Sequence, residues 1–407
     1  MGSWKKTKWG EVATLEYGKA LRDYDEENGA YPVYGTNGQI GWNNEPLVNR
    51  PGVIIGRKGA YRGVEYSDKP FCVIDTAFYL DLTTDKVLDK WAYYQLEDFD
   101  INNIDSGTAI PSTSREAFYQ IPVAIPPIEQ QKKIVDTLSA FDDLIENNSR
   151  RIEILEEMAR RIYREWFVHF RYPGHNNDEL VDSGTDLGEI PEGWDIVEVQ
   201  DVIDVNPRTS IDKEKERPYL PMADVSENSM LIDDTDLEYR DGSGGSKFKN
   251  YDTLFARITP SLENGKTGFV QFLKSDEQIA MGSTEFIVLR SKKLNPYFVY
   301  CLARDGQFRE SAIKSMVGAS GRQRVRIGTV KEFKITFPPK ELLSKFKNIT
   351  EPMFKEVGVL SEQNKKLKAT RDLLLPKLIS GKIDVDELHQ LGNQENVGYS
   401  AIKKENS

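Results

Sequence analysis

Two stretches of the chain carry apolar side chains in steps that alternate four and three residues. The first runs Ile134, Leu138, Phe141, Ile145, Asn148, Ile152, Leu155, Ala159, Ile162 and Trp166, flanked by the charged Glu153, Glu156, Glu157, Arg160, Arg161 and Arg164. The second runs Met353, Val357, Leu360, Asn364, Leu367, Arg371, Leu374 and Leu378. Such steps average the 3.5-residue repeat of a coiled coil, so each stretch predicts a long helix, the first of roughly 40 residues and ~60 Å. A lone helix of this kind leaves its seam in water. The simplest arrangement pairs the two antiparallel within one chain, with Leu138, Phe141, Ile145, Asn148, Ile152, Leu155 and Ile162 facing Val357, Leu360, Asn364, Leu367 and Leu374. Asn148 and Asn364 interrupt the two seams. A buried polar pair there fixes register at a cost in stability, and an Asn facing solvent at a loosened turn is the other reading. Pro352 predicts a start or kink of the second helix, and Pro376 a loosened last turn.

Outside the rods the pattern changes. Gly52–Gly56 and Phe71–Leu80 are β-branched and aromatic runs bounded by Gly, Pro and Asp, and read as buried strands, as do Gly268–Leu273 and Thr284–Leu289. Asn295-Pro-Tyr-Phe-Val-Tyr-Cys-Leu302 reads as a helix with Pro in its first turn, matched earlier by Asp89–Glu97. The two regions repeat one another in order: Trp9 with Trp194, Arg57 with Arg257, Gly63 with Gly268, Thr76 with Thr284, 106–108 with 317–319, and Pro126-Pro127 with Pro338-Pro339. The offset grows steadily from 185 to 212, as expected if the second copy carries longer loops. The predicted fold class is α/β (α+β): two similar mixed α/β domains, 1–127 and 191–340, separated by antiparallel helical regions 128–170 and 341–381. A linker covers 171–190 and a tail 382–407.

Composition narrows the chemistry. The chain of 407 residues has two cysteines, Cys72 and Cys301, and three histidines, His169, His175 and His389, with no Cys-x-x-Cys. A zinc site, a disulfide framework and most nucleophile–base schemes are thereby improbable. No apolar run approaches the ~18 to 20 residues of a membrane span, and a cytoplasmic location is expected. Net charge is −11, which by itself speaks against nucleic acid as a ligand. The average conceals local excess. Residues 46–64 hold Arg50, Arg57, Lys58 and Arg62 without an acid, and 304–334 hold eight basic residues against Asp305, Glu310 and Glu332. Solvated surface produces such clusters too, so position must decide.

The loops beside these clusters carry the candidate chemistry. Tyr34-Gly-Thr-Asn-Gly-Gln-Ile-Gly41 is glycine-punctuated and offers Thr36, Asn37 and Gln39. It has neither the Gly-Lys-Ser/Thr of a Walker loop nor the strand-then-helix setting of a dinucleotide fingerprint, and a plain turn also accounts for it. If the strands pair, it lies near Arg57, Lys58, Tyr61 and Arg62, and near Ser106, Thr108, Ser112, Thr113 and Ser114. The second globe offers Arg257, Thr259, Ser261 and Lys266, then Ser320, Arg322, Gln323, Arg324 and Arg326, whose alternating basic residues are expected on one side of an extended strand. Arg pairs with guanine, Asn and Gln pair with adenine, and hydroxyls and backbone N–H groups hold phosphate, so the set is that of a DNA reader. Catalytic signals are weak. Asn295-Pro-Tyr-Phe298 lacks the second proline of an adenine methyltransferase loop, and Glu332-Phe-Lys334 is too short to mark a nuclease.

Four stretches together resemble a known family. They are Ile125-Pro-Pro-Ile-Glu-Gln-Gln-Lys-Lys-Ile134, Trp166-Phe-Val-His-Phe170, Gly188-Glu-Ile-Pro-Glu-Gly-Trp194 and Leu373-Leu-Leu-Pro-Lys-Leu-Ile-Ser-Gly381. They resemble the DNA specificity subunits of type I restriction-modification systems. The resemblance implies two target-recognition domains, each reading one half of an asymmetric, interrupted site in double-stranded DNA. It implies that the helix pair is both ruler and dock for two DNA adenine methyltransferase subunits. Those partners would bind S-adenosylmethionine and methylate adenine at N6, and a restriction subunit, a motor-nuclease, would use ATP and Mg. This chain would bind no cofactor and no metal, perform no catalysis and touch no membrane. One departure is that Pro338-Pro339 is followed by Lys340-Glu341-Leu342 rather than by a Glu-Gln pair. The competing classes are a free-standing methyltransferase or nuclease, recognisable by S-adenosylmethionine binding or metal-dependent cleavage, and a scaffold whose globes bind proteins.

Overall fold

The computed structural model describes residues 4–21, 24–25, 27–104 and 111–386. The chain forms two compact units, one of the residues up to Leu144 together with those from Leu367 on, the other Ile145–Lys366. Both long helices, Ile128–Tyr163 and Lys340–Ile379, pass from one unit into the other.

Each unit contains a similar pair of sheets. In the first, an antiparallel sheet has the order Ala13–Tyr17, Ala77–Leu82, Gly52–Gly56, Val64–Ser67. A smaller sheet has the order Gly38–Asn43, Tyr31–Gly35, Cys72–Val73, its last pair parallel. In the second unit the order Ile203–Val205, Phe286–Ser291, Thr253–Ala256, Thr267–Phe269 repeats the larger sheet. A four-stranded partner contains the parallel pair Arg217–Leu220 and Ala280–Gly282. The repeat in sequence is thus a repeat of topology.

The expected strand Phe71–Leu80 divides. Cys72–Val73 joins the small sheet and Ala77–Leu82 the large one, with the Ala77 amide donating to the Ile74 carbonyl at 3.1 Å to turn the chain between them. The Asn295 side chain accepts from the Phe298 amide at 3.0 Å and Pro296 opens the helix Pro296–Arg304, so Asn-Pro-Tyr-Phe is a helix start.

Two of the four family-like stretches have plain structural duties. Gln131 is fully buried at the start of the first helix. Its amide donates to the carbonyls of Lys86 at 2.7 Å and Pro126 at 2.9 Å, and its oxygen accepts from the Leu88 amide at 2.9 Å. The first helix ends in a π-turn, Arg164–Val168, which turns Trp166 and Phe167 inward. Phe167 lies 4.8 Å from the Phe298 ring, 5.1 Å from Phe346 and 6.2 Å from Trp194. The second helix begins at Lys340, immediately after Pro338-Pro339, with Leu342 and Leu343 buried, so the missing Glu-Gln pair does not delay it. Pro352 neither starts nor breaks it. Phe354 and Val357 are buried beyond Pro352, and Leu375 and Leu378 around Pro376, and this packing carries the helix through both prolines.

The helices run antiparallel within each unit. In the second, Ile152 and Ala159 share a core with Phe354, Val357 and Leu360, and Arg151 pairs with Glu356 at 2.7 Å. In the first, Ile134 and Leu138 share a core with Leu375, Leu378 and Ile379. Phe141, Ile145, Leu155, Ile162, Leu367 and Leu374 are half-buried. Asn148 and Asn364 meet: the Asn148 amide donates to the Asn364 oxygen at 3.0 Å, and the Asn364 amide donates to the Ile145 carbonyl at 3.3 Å and to Ser149 Oγ at 3.2 Å. Of the two readings of this pair, burial holds.

Glu156 departs from the sequence reading, which assigned it to the charged flank. It is 3% exposed and accepts from the Tyr300 hydroxyl at 2.5 Å, the Met230 amide at 2.7 Å and Ser229 Oγ at 3.2 Å, with Arg304 Nε 3.9 Å away. Burial, and then the charge of Glu156, push the Tyr300 phenol well up, so it stays a donor. The first unit has a clamp of opposite sign. Arg371 of the second helix lies 2.8 Å from Asp142 of the first and 3.7 Å from Glu97 of the helix Asp89–Glu97, while the Tyr94 hydroxyl donates to Asp142 at 2.6 Å.

Glu156→Ala, which strands three donors and a buried cation, is expected to lower unfolding stability by about 3 kcal/mol, read from the urea midpoint, and Glu156→Gln by clearly less. Asn148→Ile alone is expected to cost about 1 to 3 kcal/mol, and Asn148→Ile with Asn364→Ile to recover most of that loss, which the same midpoints check.

Candidate nucleic-acid interface

In both units the strand that carries the marked arginine runs out of the large sheet into a knot of loops. Gly52–Gly56 delivers Arg57, whose amide donates to the Thr76 carbonyl and whose carbonyl accepts from the Thr113 amide, both at 2.9 Å. Thr253–Ala256 delivers Arg257, whose amide donates to the Glu285 carbonyl and whose carbonyl accepts from the Val325 amide, again at 2.9 Å. The backbone frame is the same twice. Gly56 is required by close approach, since a Cβ there would stand 2.3 Å from the Thr36 carbonyl oxygen.

Within this frame many predicted contact residues hold loops together. Thr36 Oγ1 donates to the carbonyls of Lys58 at 2.8 Å and Thr76 at 3.0 Å. Gln39 donates to the Gly41 carbonyl at 3.3 Å, and Asn37 packs beside Gly63. Ser114 caps the helix Arg115–Gln120 by accepting from the Ala117 amide at 3.1 Å, and Ser112 bridges to Lys58. Thr113 is buried and donates to the Gly56 carbonyl at 2.7 Å. Arg62 is 3% exposed, clipped to Asn102 by its amide and guanidinium at 3.0 Å each. Burial removes Arg62 and Thr113 from a contact surface. Ser106 and Thr108 lie outside the described residues. What faces outward is Arg57, Lys58 and Tyr61, the last 79% exposed.

The second unit sorts likewise. Thr259 is buried, its Oγ1 accepting from the Gln323 amide at 3.0 Å, while its own amide donates to the Gln323 carbonyl at 3.1 Å. Lys266 Nζ donates to the carbonyls of Met222 at 3.0 Å and Ala223 at 3.1 Å, and the Ser261 carbonyl accepts from the Lys266 amide at 2.9 Å. The expected strand with one-sided arginines is instead a turn followed by short bridges. Val317 and Ile258 both pair with Arg324, Gly318 and Gly321 take φ +133 and +74, and Arg326 stands before the helix Ile327–Glu332. Arg324 faces Glu285 at 2.7 Å and is charge-matched within the fold. Ser320, Arg322 and Arg326 are exposed, and Arg257 and Gln323 half-exposed.

Charge pairing varies among these cations, and Lys58 has the Asp75 carboxylate at 3.9 Å. Among the described residues no carboxylate lies within 4.0 Å of Arg57, Arg257, Arg322 or Arg326, whereas Arg50 is matched by Asp81 at 2.8 Å and Asp89 at 2.9 Å. The structure adds residues that the sequence reading missed. Tyr17 and Arg115 gather at Arg57, and Arg208 and Lys247 line a cavity of about 350 Å³ with Asn206, Thr209 and Ser246. Tyr17, at a strand end, and Arg115, in the first turn of a helix, lie outside the basic loops, and only the fold brings them to Arg57. Among the described residues no group of three His, Cys, Asp or Glu side chains is placed to hold a metal ion, and no helix is long and apolar enough to cross a membrane. What the arrangement offers is hydrogen-bond donors and unmatched positive charge.

Comparison with known proteins gives a consistent result. The type I restriction modification DNA specificity domain matches residues 1–157 and again 191–357. The MjaIX type I restriction enzyme specificity subunit of Methanocaldococcus jannaschii is 28% identical over 318 residues, 75% of this chain and 71% of that one. The MjaVIII specificity subunit of the same organism is 21% identical over 369 residues, 85% and 82% of the two chains. The crystal structure of a type I restriction-modification S subunit from M. genitalium superposes with a TM-score of 0.58 at 16% identity, covering 92% of this chain and 96% of that one, and so shares the fold. With both of its halves matched, the chain belongs to the type I restriction-modification DNA specificity family, as the non-catalytic subunit that confers DNA target specificity.

Proposed function

We propose that each unit reads one half of an asymmetric, bipartite site in double-stranded DNA, and that the helix pair sets the spacing between the halves. The observation that carries this reading is one backbone frame used twice with different side chains on it. Arg57 stands with Lys58 and Tyr61, while Arg257 stands with Arg322, Gln323 and Arg326. Like frames approach like grooves, and unlike side chains read unlike bases, so the two half-sites differ in sequence. Half-sites read on one face of B-DNA lie about 34 to 36 Å apart, and a helix of 36 residues extends about 54 Å, long enough to span them.

In this reading the chain directs partners. Two DNA adenine methyltransferase subunits dock on the helix pair, bind S-adenosylmethionine and methylate adenine N6 within the site. A motor-nuclease subunit with ATP and Mg restricts unmodified DNA. The chain's net charge of −11 opposes tight binding alone, so the partners supply part of the phosphate neutralisation.

Co-expression with the neighbouring adenine methyltransferase gene, followed by mapping of N6-methyladenine in host DNA by single-molecule sequencing, is expected to yield an interrupted, asymmetric motif that disappears without this chain. Unchanged methylation from an assembled complex would favour the scaffold alternative. The isolated chain is expected to bind the motif weakly and with strong salt dependence, and the complex tightly, as titrations at several salt concentrations would reveal. Equal affinity for chain and complex would refute the shared-neutralisation argument. In the complex, Arg322→Ala is expected to cost about 1 to 3 kcal/mol and to relax one base position if its guanidinium reads a guanine edge.

A further inference from the structure

Two guanidinium groups in the first unit share one aromatic ring. Arg57 Cζ lies 4.8 Å from the centroid of Tyr17 and 5.6 Å from that of Phe78. Arg115 Cζ lies 5.0 Å from the Tyr17 centroid and 5.8 Å from that of Tyr119. Tyr17 ends its strand of the large sheet and is 48% exposed, so the assembly opens to solvent. It belongs to the same knot of loops as Lys58 and Ser112.

The orientation of both cations is fixed by neutral partners. Arg57 Nη1 donates to the Asp75 carbonyl at 2.8 Å. Arg115 donates to the Tyr119 hydroxyl from Nε at 3.3 Å and Nη2 at 3.0 Å, and that hydroxyl also accepts from the Leu15 amide at 3.1 Å. A guanidinium has five N–H donors, and stacking leaves its edge available, so each retains donors for a ligand. Among the described residues neither has a carboxylate within 4.0 Å, although Arg50 of the same unit has two. Two held cations on one ring repel each other, and an anion between or beside them relieves that repulsion.

We propose that Arg57, Tyr17 and Arg115 form a clamp for a phosphodiester of the DNA backbone, in which Arg115 makes direct contact and Tyr17 positions both arginines. The inference rests on the first unit being a DNA reader and adds how it is registered on the duplex. Guanine readout uses a single arginine placed bidentately against one base edge, whereas a pair of fixed cations without an acid suits a phosphate. Phosphate contacts set register and orientation without carrying sequence information.

The test uses the chain assembled with its methylation subunits and a duplex bearing the motif mapped for the wild type. The dependence of affinity on salt is measured between about 50 and 200 mM, beside methylome mapping. Arg115→Gln is expected to weaken binding about five-fold and to lower the slope of log K against log salt by about 0.9, with the motif unchanged. Arg115→Lys keeps the charge and is expected to retain the wild-type slope. Tyr17→Leu is expected to weaken binding while leaving the motif intact. An Arg115→Gln complex with wild-type affinity and slope would overturn the clamp, and so would a relaxed motif at unchanged slope, which marks base reading. A wild-type complex that neither binds DNA in a salt-dependent manner nor methylates a defined motif would instead overturn the reading on which the clamp rests.

Discussion

A coiled-coil seam made only of apolar side chains can slip by a heptad at little cost, and this molecule cannot tolerate slippage because each globe is built onto the seam. Ile152 and Ala159 share a core with Phe298 and Tyr300 of the second unit. Leu138 and Leu378 share one with Trp91 and Tyr94 of the first. A slip would empty both cores. Buried polar contacts prevent it: the Asn148–Asn364 pair, Glu156 beneath Tyr300 and Met230, and Arg371 between Asp142 and Glu97. Such contacts have strict partner geometry, so they define one register where hydrophobic contact alone defines several.

The two clamps have opposite charge and use opposite helices. The acid Glu156 comes from the first helix and the base Arg371 from the second, and each meets groups on the globe of its own unit. Framework and surface are therefore separate layers. The frame around Arg57 and Arg257 is made of backbone hydrogen bonds, buried hydroxyls and close glycine approach, none of which depends on the outward side chains. In the proposed reading, changes at Tyr61, Arg322 or Arg326 alter what is touched without altering what holds the loop, which is the arrangement a specificity subunit needs.

The rods were legible because a 3.5-residue period over some forty residues has no competing explanation. The repeat was legible because strand order was kept while loops lengthened. Glu156 was not legible. Its period placed it beside the seam, and only the globe packed on that flank makes the flank interior. The strand predicted for Phe71–Leu80 failed for a related reason: its apolar character is continuous because both halves are buried, yet they are buried in different sheets. Sequence marked loops that the fold gathers into a knot in each unit but could not divide their residues by task. Arg57 and Arg62 lie five positions apart in one basic loop, and sheet closure turns one outward and clips the other to Asn102. Tyr17 and Arg115 carried no local signal, since their significance lies in meeting Arg57.

The net charge of −11 and the DNA-binding role are compatible because net charge is an average over the chain, while contact depends on the cations at the loop knots. Several cations away from the loop knots have acids at hand: Arg50, Arg290 and Arg371 all stand within 3.0 Å of a carboxylate. Those acids neutralise nearby bases and leave the far field weakly negative. Arg57, Arg115, Arg257, Arg322 and Arg326, which have no acid within 4.0 Å among the described residues, belong to the two loop knots, where strand ends and turns expose them. At about 8 to 10 Å the screening length of physiological salt is shorter than a domain, so a phosphate at a knot senses those arginines far more than the acidic body behind them. In the proposed reading, net charge governs the long-range approach to DNA, and these arginines govern the contact. On the proposed reading, a chain of this composition refuses DNA at large and still holds one site once its partners have brought it there.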